Sequence, residues 1–159
     1  MLNIIKQFIK QDLSVMTITD STGGIGGNSY VFCQYFGFVN IIEIETDNIE
    51  ALSANLKHFD NNSIVHANYV ELFTKIKQDY VFIDPPWGDY KKHKNVNLYL
   101  NQININHIIS VLYDYSNMVV LKAPRNFIVI KVNKWIIKTF KIYSENGNKH
   151  IYNAIIYYK

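Results

Sequence analysis

The 159 residues are 48% hydrophobic and 18% charged, which suits a folded globular protein and excludes a disordered chain. Sixteen basic residues against thirteen acidic ones leave a net charge of +3, compatible with an RNA or nucleotide partner but too small to require one. A single cysteine, Cys33, excludes an internal disulfide and a cysteine-rich zinc site; with no long apolar run and no signal-peptide pattern at the start, the expectation is an intracellular protein, cytoplasmic or nuclear, without membrane contact.

Residues 2–12 have helical spacing, with Leu2, Ile5, Phe8 and Ile9 on one face. Residues 14–19 read as a first strand ending at Asp20. Beyond a glycine-rich loop, Asn28 is placed to cap a helix through Tyr30, Val31, Gln34 and Tyr35 to Phe38, with Cys33 a small core residue. A second strand at 39–44 and a helix at 47–58 follow, then a short strand at 63–66, a helix at 70–77 and a fourth strand at 80–84. Residues 88–97 are polar and basic and read as a loop. A helix at 105–115 leads to a strand at 118–122. Segments 135–143 and 150–158 read as a closing hairpin around Asn146-Gly147, a strong turn signal. Trp135 is expected to pack on the sheet and the tail 152–158 to alternate its faces.

This alternation predicts an α/β fold: a Rossmann-like, mostly parallel central sheet with a C-terminal antiparallel hairpin. One domain is expected over 1–159, with a short N-terminal helix at 1–12 and the core at 13–159. Ligands in such sheets bind at the carboxyl ends of the strands.

Two segments carry chemistry. Asp20-Ser21-Thr22-Gly23-Gly24-Ile25-Gly26-Gly27-Asn28 lies between a strand and a helix, and its glycines allow a tight turn and close approach to a ligand. Glu43, at the end of the next strand, is placed to accept hydrogen bonds from ribose hydroxyls, the logic of a nucleotide site. The second segment, Val81-Phe82-Ile83-Asp84-Pro85-Pro86-Trp87-Gly88, ends an apolar strand in a carboxylate, two prolines and an indole. Asp84 offers acceptors to an exocyclic amine and Trp87 a face on which a base can stack. A dinucleotide is the competing ligand, but Asp-Pro-Pro-Trp has no role in hydride transfer and a clear one in amino methylation. That favours S-adenosylmethionine.

Together these segments resemble the trimethylguanosine synthase family, which methylates the guanine N2 of a 7-methylguanosine RNA cap. The family's Asp-Phe-Cys-Gly-x-Gly-Gly-Asn loop is similar to 20–28. Its Ile-Asp-Ile-Asp looks like Ile42-Glu43-Ile44-Glu45, its Ser-Pro-Pro-Trp-Gly like 84–88, and its Leu-Pro-Arg-Asn like Ala123-Pro124-Arg125-Asn126. The resemblance implies that Asp20, Thr22, Gly23, Gly24, Gly26 and Asn28 hold the methionine end of S-adenosylmethionine, Glu43 its ribose and Asn68 its adenine. Asp84 would also border the cofactor. Asp84, the Pro85 carbonyl and Trp87 would form the catalytic set. Trp87, Tyr90, Arg125 and Asn126 would bind the cap, with Trp87 stacking on the cationic 7-methylguanine.

Three departures from the family stand out. Asp84 replaces its serine, as in amino methyltransferases of DNA adenine and ribosomal guanine. A Gly-Pro insert after Trp-Gly is missing, so Tyr90 matches a family tyrosine only through a gap. The segment before the first strand is about a dozen residues, leaving room for a protein partner that completes the cap pocket. The alternatives are an N2-guanine or N6-adenine methyltransferase acting on uncapped RNA or DNA, and a non-catalytic cap-binding subunit. No metal site is expected, because the five histidines lack ligand spacing. Lys91 to Lys94 form a basic run beside Trp87 that could track phosphates.

Overall fold

In the computed structural model, which describes residues 1–159, the chain runs α1 (Leu2–Ile5), a 3-10 turn (Leu13–Val15), β1 (Thr17–Asp20), α2 (Gly27–Cys33), β2 (Phe38–Glu43), α3 (Thr46–Leu56), β3 (Asn62–His66), α4 (Tyr69–Leu72) and β4 (Tyr80–Ile83). A 3-10 turn (Tyr90–Lys92), the small hairpin β5 (Tyr99–Leu100) and β6 (Ile103–Asn104), α5 (Ile105–Leu112), β7 (Met118–Pro124), β8 (Ile136–Tyr143) and β9 (His150–Tyr158) follow. Seven strands form one sheet in the order β3-β2-β1-β4-β7-β9-β8. The first five of these pair in parallel; β9 lies antiparallel between β7 and β8. No helix is long and apolar enough to cross a membrane.

Both faces of the central strands are covered, as a parallel sheet requires. Val81 and Ile83 of β4 join Val119 and Leu121 of β7 and α5 in one core layer. Tyr80 and Phe82 join Val120, Phe32 of α2 and Leu52 of α3 in the other. The two-residue period of the strands divides their side chains between these layers.

Several expectations change. The helix expected at 2–12 ends at Ile5, and Phe8 beyond it wedges against Phe140 and Tyr158. β1 starts at Thr17 because Leu13–Val15 form a 3-10 turn capped by the Asp12 side chain. The helix expected at 70–77 is a single turn, capped by Asn68. The helix expected at 105–115 runs only over Ile105–Leu112. Asn28 does not cap α2; Gly26 does, at φ +95°, a left-handed conformation that suits glycine, and its missing Cβ leaves Leu52 room. β9 does not alternate: residues 153–157 are all buried, because β9 lies inside the sheet and β8 forms its edge. Trp135 is buried just before β8, donating from Nε1 to the Ile109 carbonyl at 2.8 Å.

The register brings three acids to one end of the sheet. Asp20 pairs with Ile41 on one side and Phe82 on the other, Glu43 lies opposite His66, and Asp84 follows the last residue of β4.

Candidate functional site

A cavity of about 460 Å³ opens at this end of the sheet, a volume suited to a nucleoside-sized ligand. Its floor is the β1 loop at Ser21, Thr22 and Gly24. Glu43 and Ile44 at the end of β2, and Ala67 and Asn68 after β3, form one side; Asp84 and Pro86 form the other. The turn of the β5–β6 hairpin closes it with Leu100 and Asn101.

The glycine loop shapes the floor by crossing over β2. Gly23 donates to the Ile42 carbonyl at 2.8 Å, and a Cβ there would meet the Ile41 side chain at 2.6 Å. Gly24, at φ +53°, faces the cavity and has open space where a Cβ would be. Glu43 is buried and braces the loop: its Oε2 accepts from the Gly24 amide at 2.5 Å and its Oε1 from the Glu45 amide at 2.7 Å. Thr22 links the two motifs, its Oγ1 accepting from the Asp84 amide at 3.0 Å.

Asp20 lies beneath the floor, fully buried, and accepts a hydrogen bond from Ser29 at 2.6 Å. Burial raises its pKa to about 6, opposed by the Ser29 and Thr22 hydrogen bonds and assisted by the charges of Asp84 and Glu43. The folded carboxyl thus holds its proton more tightly than the unfolded one, whose ordinary value is 3.8. Its contribution to stability is complete below that value and is lost as pH rises through about 6. In Asp20→Asn this loss, roughly 3 kcal/mol by linkage, should vanish from urea unfolding curves taken between pH 4 and 7. An unchanged pH slope in the variant would place that titration on another group.

The other wall has a different character. Asp84 is partly buried, which raises its pKa, while the hydrogen bond and charge of Lys122 lower it. Lys122, on β7, meets Asp84 Oδ2 at 2.6 Å, and Oδ1 has no partner within the protein. The same ammonium lies 5.8 Å from the centre of the Trp87 ring and 5.3 Å from that of Tyr152. Trp87 is half-buried, edge-to-face with Tyr90 at 5.4 Å, and its buried Nε1 has no acceptor. Pro85 is buried between Asp84 and the cavity-lining Pro86. Asn126 donates to the carbonyls of Tyr90 and His93, both at 2.8 Å, tying the basic loop to the end of β7. Arg125, exposed, directly precedes Asn126 in the chain and so lies near this loop.

Of the residues singled out from sequence, Thr22, Gly24, Glu43, Asn68 and Asp84 line the cavity. Asp20, Gly23 and Gly26 lie behind it as supports. Asn28 sits in the first turn of α2, half-buried and outside the cavity lining. Trp87, Tyr90, Arg125 and Asn126 form a second group beyond Asp84. Sequence reasoning missed Lys122, Ser29, Ile44 and the β5–β6 hairpin. A lone charge in the otherwise apolar run of β7 was the signal for Lys122.

The cavity suits S-adenosylmethionine. Glu43 can accept from hydroxyls, and Asn68 can hydrogen-bond an adenine amine. Ile44 lines the cavity while 51% exposed, an apolar surface that a flat base would cover.

Comparison with known proteins gives a family and a fold. A family model described as RNA cap guanine-N2 methyltransferase matches residues 15–155. An uncharacterized protein of Acanthamoeba polyphaga mimivirus is 33% identical over 126 residues, covering 74% of this chain; the chain spans about half of that relative's length (49%). A conserved hypothetical protein of Streptococcus pyogenes superposes with a TM-score of 0.72 at 18% identity, covering 99% of this chain and 92% of that one. An rRNA methylase of Streptococcus thermophilus superposes at 0.65 with 8% identity, covering 99% and 95%. These superpositions establish the class I methyltransferase fold, whose cofactor in this family is S-adenosylmethionine. The chain belongs to the RNA cap guanine-N2 methyltransferase family.

Proposed function

We propose that this protein transfers a methyl group from S-adenosylmethionine to the exocyclic N2 of 7-methylguanosine in an RNA cap. The observation that carries it is the Asp84 carboxylate at the cavity wall, held through Oδ2 with Oδ1 free, beside the Trp87 ring. Oδ1 and the Pro85 carbonyl would accept the two N–H bonds of the amine. They would aim its lone pair at the cavity and offset the positive charge that develops on nitrogen. Bound S-adenosylmethionine supplies an activated methyl group and a thioether leaving group. As N2 gains the methyl it releases one proton to solvent, so Asp84 need not act as a base. Glu43 and Asn68 would orient the cofactor, and Trp87 would stack on the base. Arg125 and Lys91 to Lys94 would meet the cap phosphates and the following RNA.

A protein partner belongs to the same proposal. The segment before β1 packs through Phe8 with the Phe82 core layer, whereas Trp87 packs with the Ile83 layer. The segment before β1 thus supplies no wall at Trp87, and in this proposal another chain would supply it.

One observation favours a second reading. Asp84 stands where the resembling family has serine, and an acceptor of this kind also suits an N2-guanine or N6-adenine methyltransferase acting on uncapped, unpaired RNA or DNA. The test is transfer from labelled S-adenosylmethionine to 7-methylguanosine triphosphate, GTP, and short RNA and DNA oligomers. Label in the 7-methylated nucleotide alone supports the cap reading. Label in an uncapped oligomer but not in that nucleotide supports the second.

A further inference from the structure

Resting on the cap reading, we infer that Lys122 is the residue that demands prior methylation at N7, by accepting only a guanine that has lost its N1 proton. Its ammonium is 2.6 Å from Asp84 Oδ2 and lies 5.8 Å and 5.3 Å from the ring centres of Trp87 and Tyr152, the indole on which the base would stack and its neighbour. The wall therefore presents a hydrogen-bond acceptor, Asp84 Oδ1, next to a donor, the Lys122 ammonium. A base that matches this pair needs an N–H beside a bare ring nitrogen. Neutral guanine shows two donors there, N2–H and N1–H, and its N1–H would point at the ammonium. Methylation at N7 puts positive charge on the ring and makes N1 acidic. The N1–H bond then breaks, its electron pair stays on the ring and the proton goes to water. The resulting base offers N2–H to Asp84 and N1 to Lys122, and the returned electron density makes N2 a better nucleophile.

The charges around Lys122 are compatible with this role. Asp84 faces it from the end of β4 and Tyr152 from β9, with Tyr90 behind Trp87. Glu43 lines the same cavity at the end of β2, and Asp20 lies beneath it at the end of β1. Asp84 and Lys122 are 23% and 27% exposed, so their fields are only partly screened.

The N1 proton of 7-methylguanosine triphosphate can be followed by its own absorbance change, free and bound to the protein with S-adenosylhomocysteine present. The N1 midpoint should be lower by about one pH unit or more when bound to wild type, as one nearby cation produces. Lys122→Arg should keep that shift. Lys122→Met should abolish it and lose about tenfold or more in kcat at low pH, regaining it as pH rises. A bound midpoint equal to the free one in wild type, a comparison that needs no variant, overturns the inference. So does a Lys122→Met loss that is uniform with pH, which is what a mere brace for Asp84 would give. If wild type methylates adenine, which offers the same donor and acceptor at N6 and N1, and not the 7-methylated nucleotide, the cap reading falls and this role falls with it. Transfer to the nucleotide with an unmoved midpoint removes only the role of Lys122.

Discussion

Asp84→Ala should lower kcat for methyl transfer by about 100- to 1000-fold while leaving S-adenosylmethionine affinity within about threefold, the size seen when one preorganised electrostatic contact to a reacting group is removed. The carboxylate lines the cavity and meets the Trp87 group through Lys122. Deleting it removes an acceptor for the amine and the charge that offsets developing positive charge on nitrogen. It also strands the Lys122 ammonium; Asp84→Asn keeps the shape but loses the charge and leaves one oxygen to serve either Lys122 or the amine, so it should lose activity as well. Single-turnover transfer from labelled cofactor, with cofactor binding followed by calorimetry, separates chemistry from affinity. A kcat for Asp84→Ala within threefold of wild type would remove Asp84 from the acceptor site.

Glu43→Gln should act on the other half of the site. Both carboxylate oxygens accept backbone N–H bonds, from Gly24 at 2.5 Å and Glu45 at 2.7 Å. An amide in their place must turn its NH2 against one of those donors, whichever way it is rotated. Hydrogen bonds to a charged group contribute about 1.5–3 kcal/mol each, so the variant should lose roughly 2–4 kcal/mol of stability in urea. The Gly24 turn that forms the cavity floor would loosen with it, and the acceptor for ribose hydroxyls would lose its charge. Cofactor affinity should fall about 100-fold, with kcat at saturating cofactor largely retained. Full stability together with unchanged affinity would show that Glu43 neither braces the loop nor meets the cofactor.

β1, β2 and β4 were legible because each is a short run that ends at or just before an acid, and the glycine loop and Asp-Pro-Pro-Trp mark the ends of β1 and β4. What escaped was set by long-range packing. The β5–β6 turn uses Asn101 and Gln102 at φ +43° and +68° with no glycine, so its usual sequence signal is missing. The cap of α2 falls on Gly26 and not Asn28 because the loop must pass close to Leu52. β9 could not be read as an interior strand, since its place between β7 and β8 is a matter of topology. Lys122 carried a signal, a lone charge in an apolar strand, but its role did not follow from it because its partner Asp84 is 38 positions away.

The most direct measurement is the position of the methyl group in the product. 7-Methylguanosine triphosphate incubated with the protein and labelled S-adenosylmethionine should yield a nucleotide whose base fragments, by mass spectrometry, as guanine methylated at N7 and N2. A new methyl found instead on adenine N6 of an oligomer, with the 7-methylguanosine nucleotide untouched, would contradict the assignment of Asp84 and Trp87 to a cap guanine.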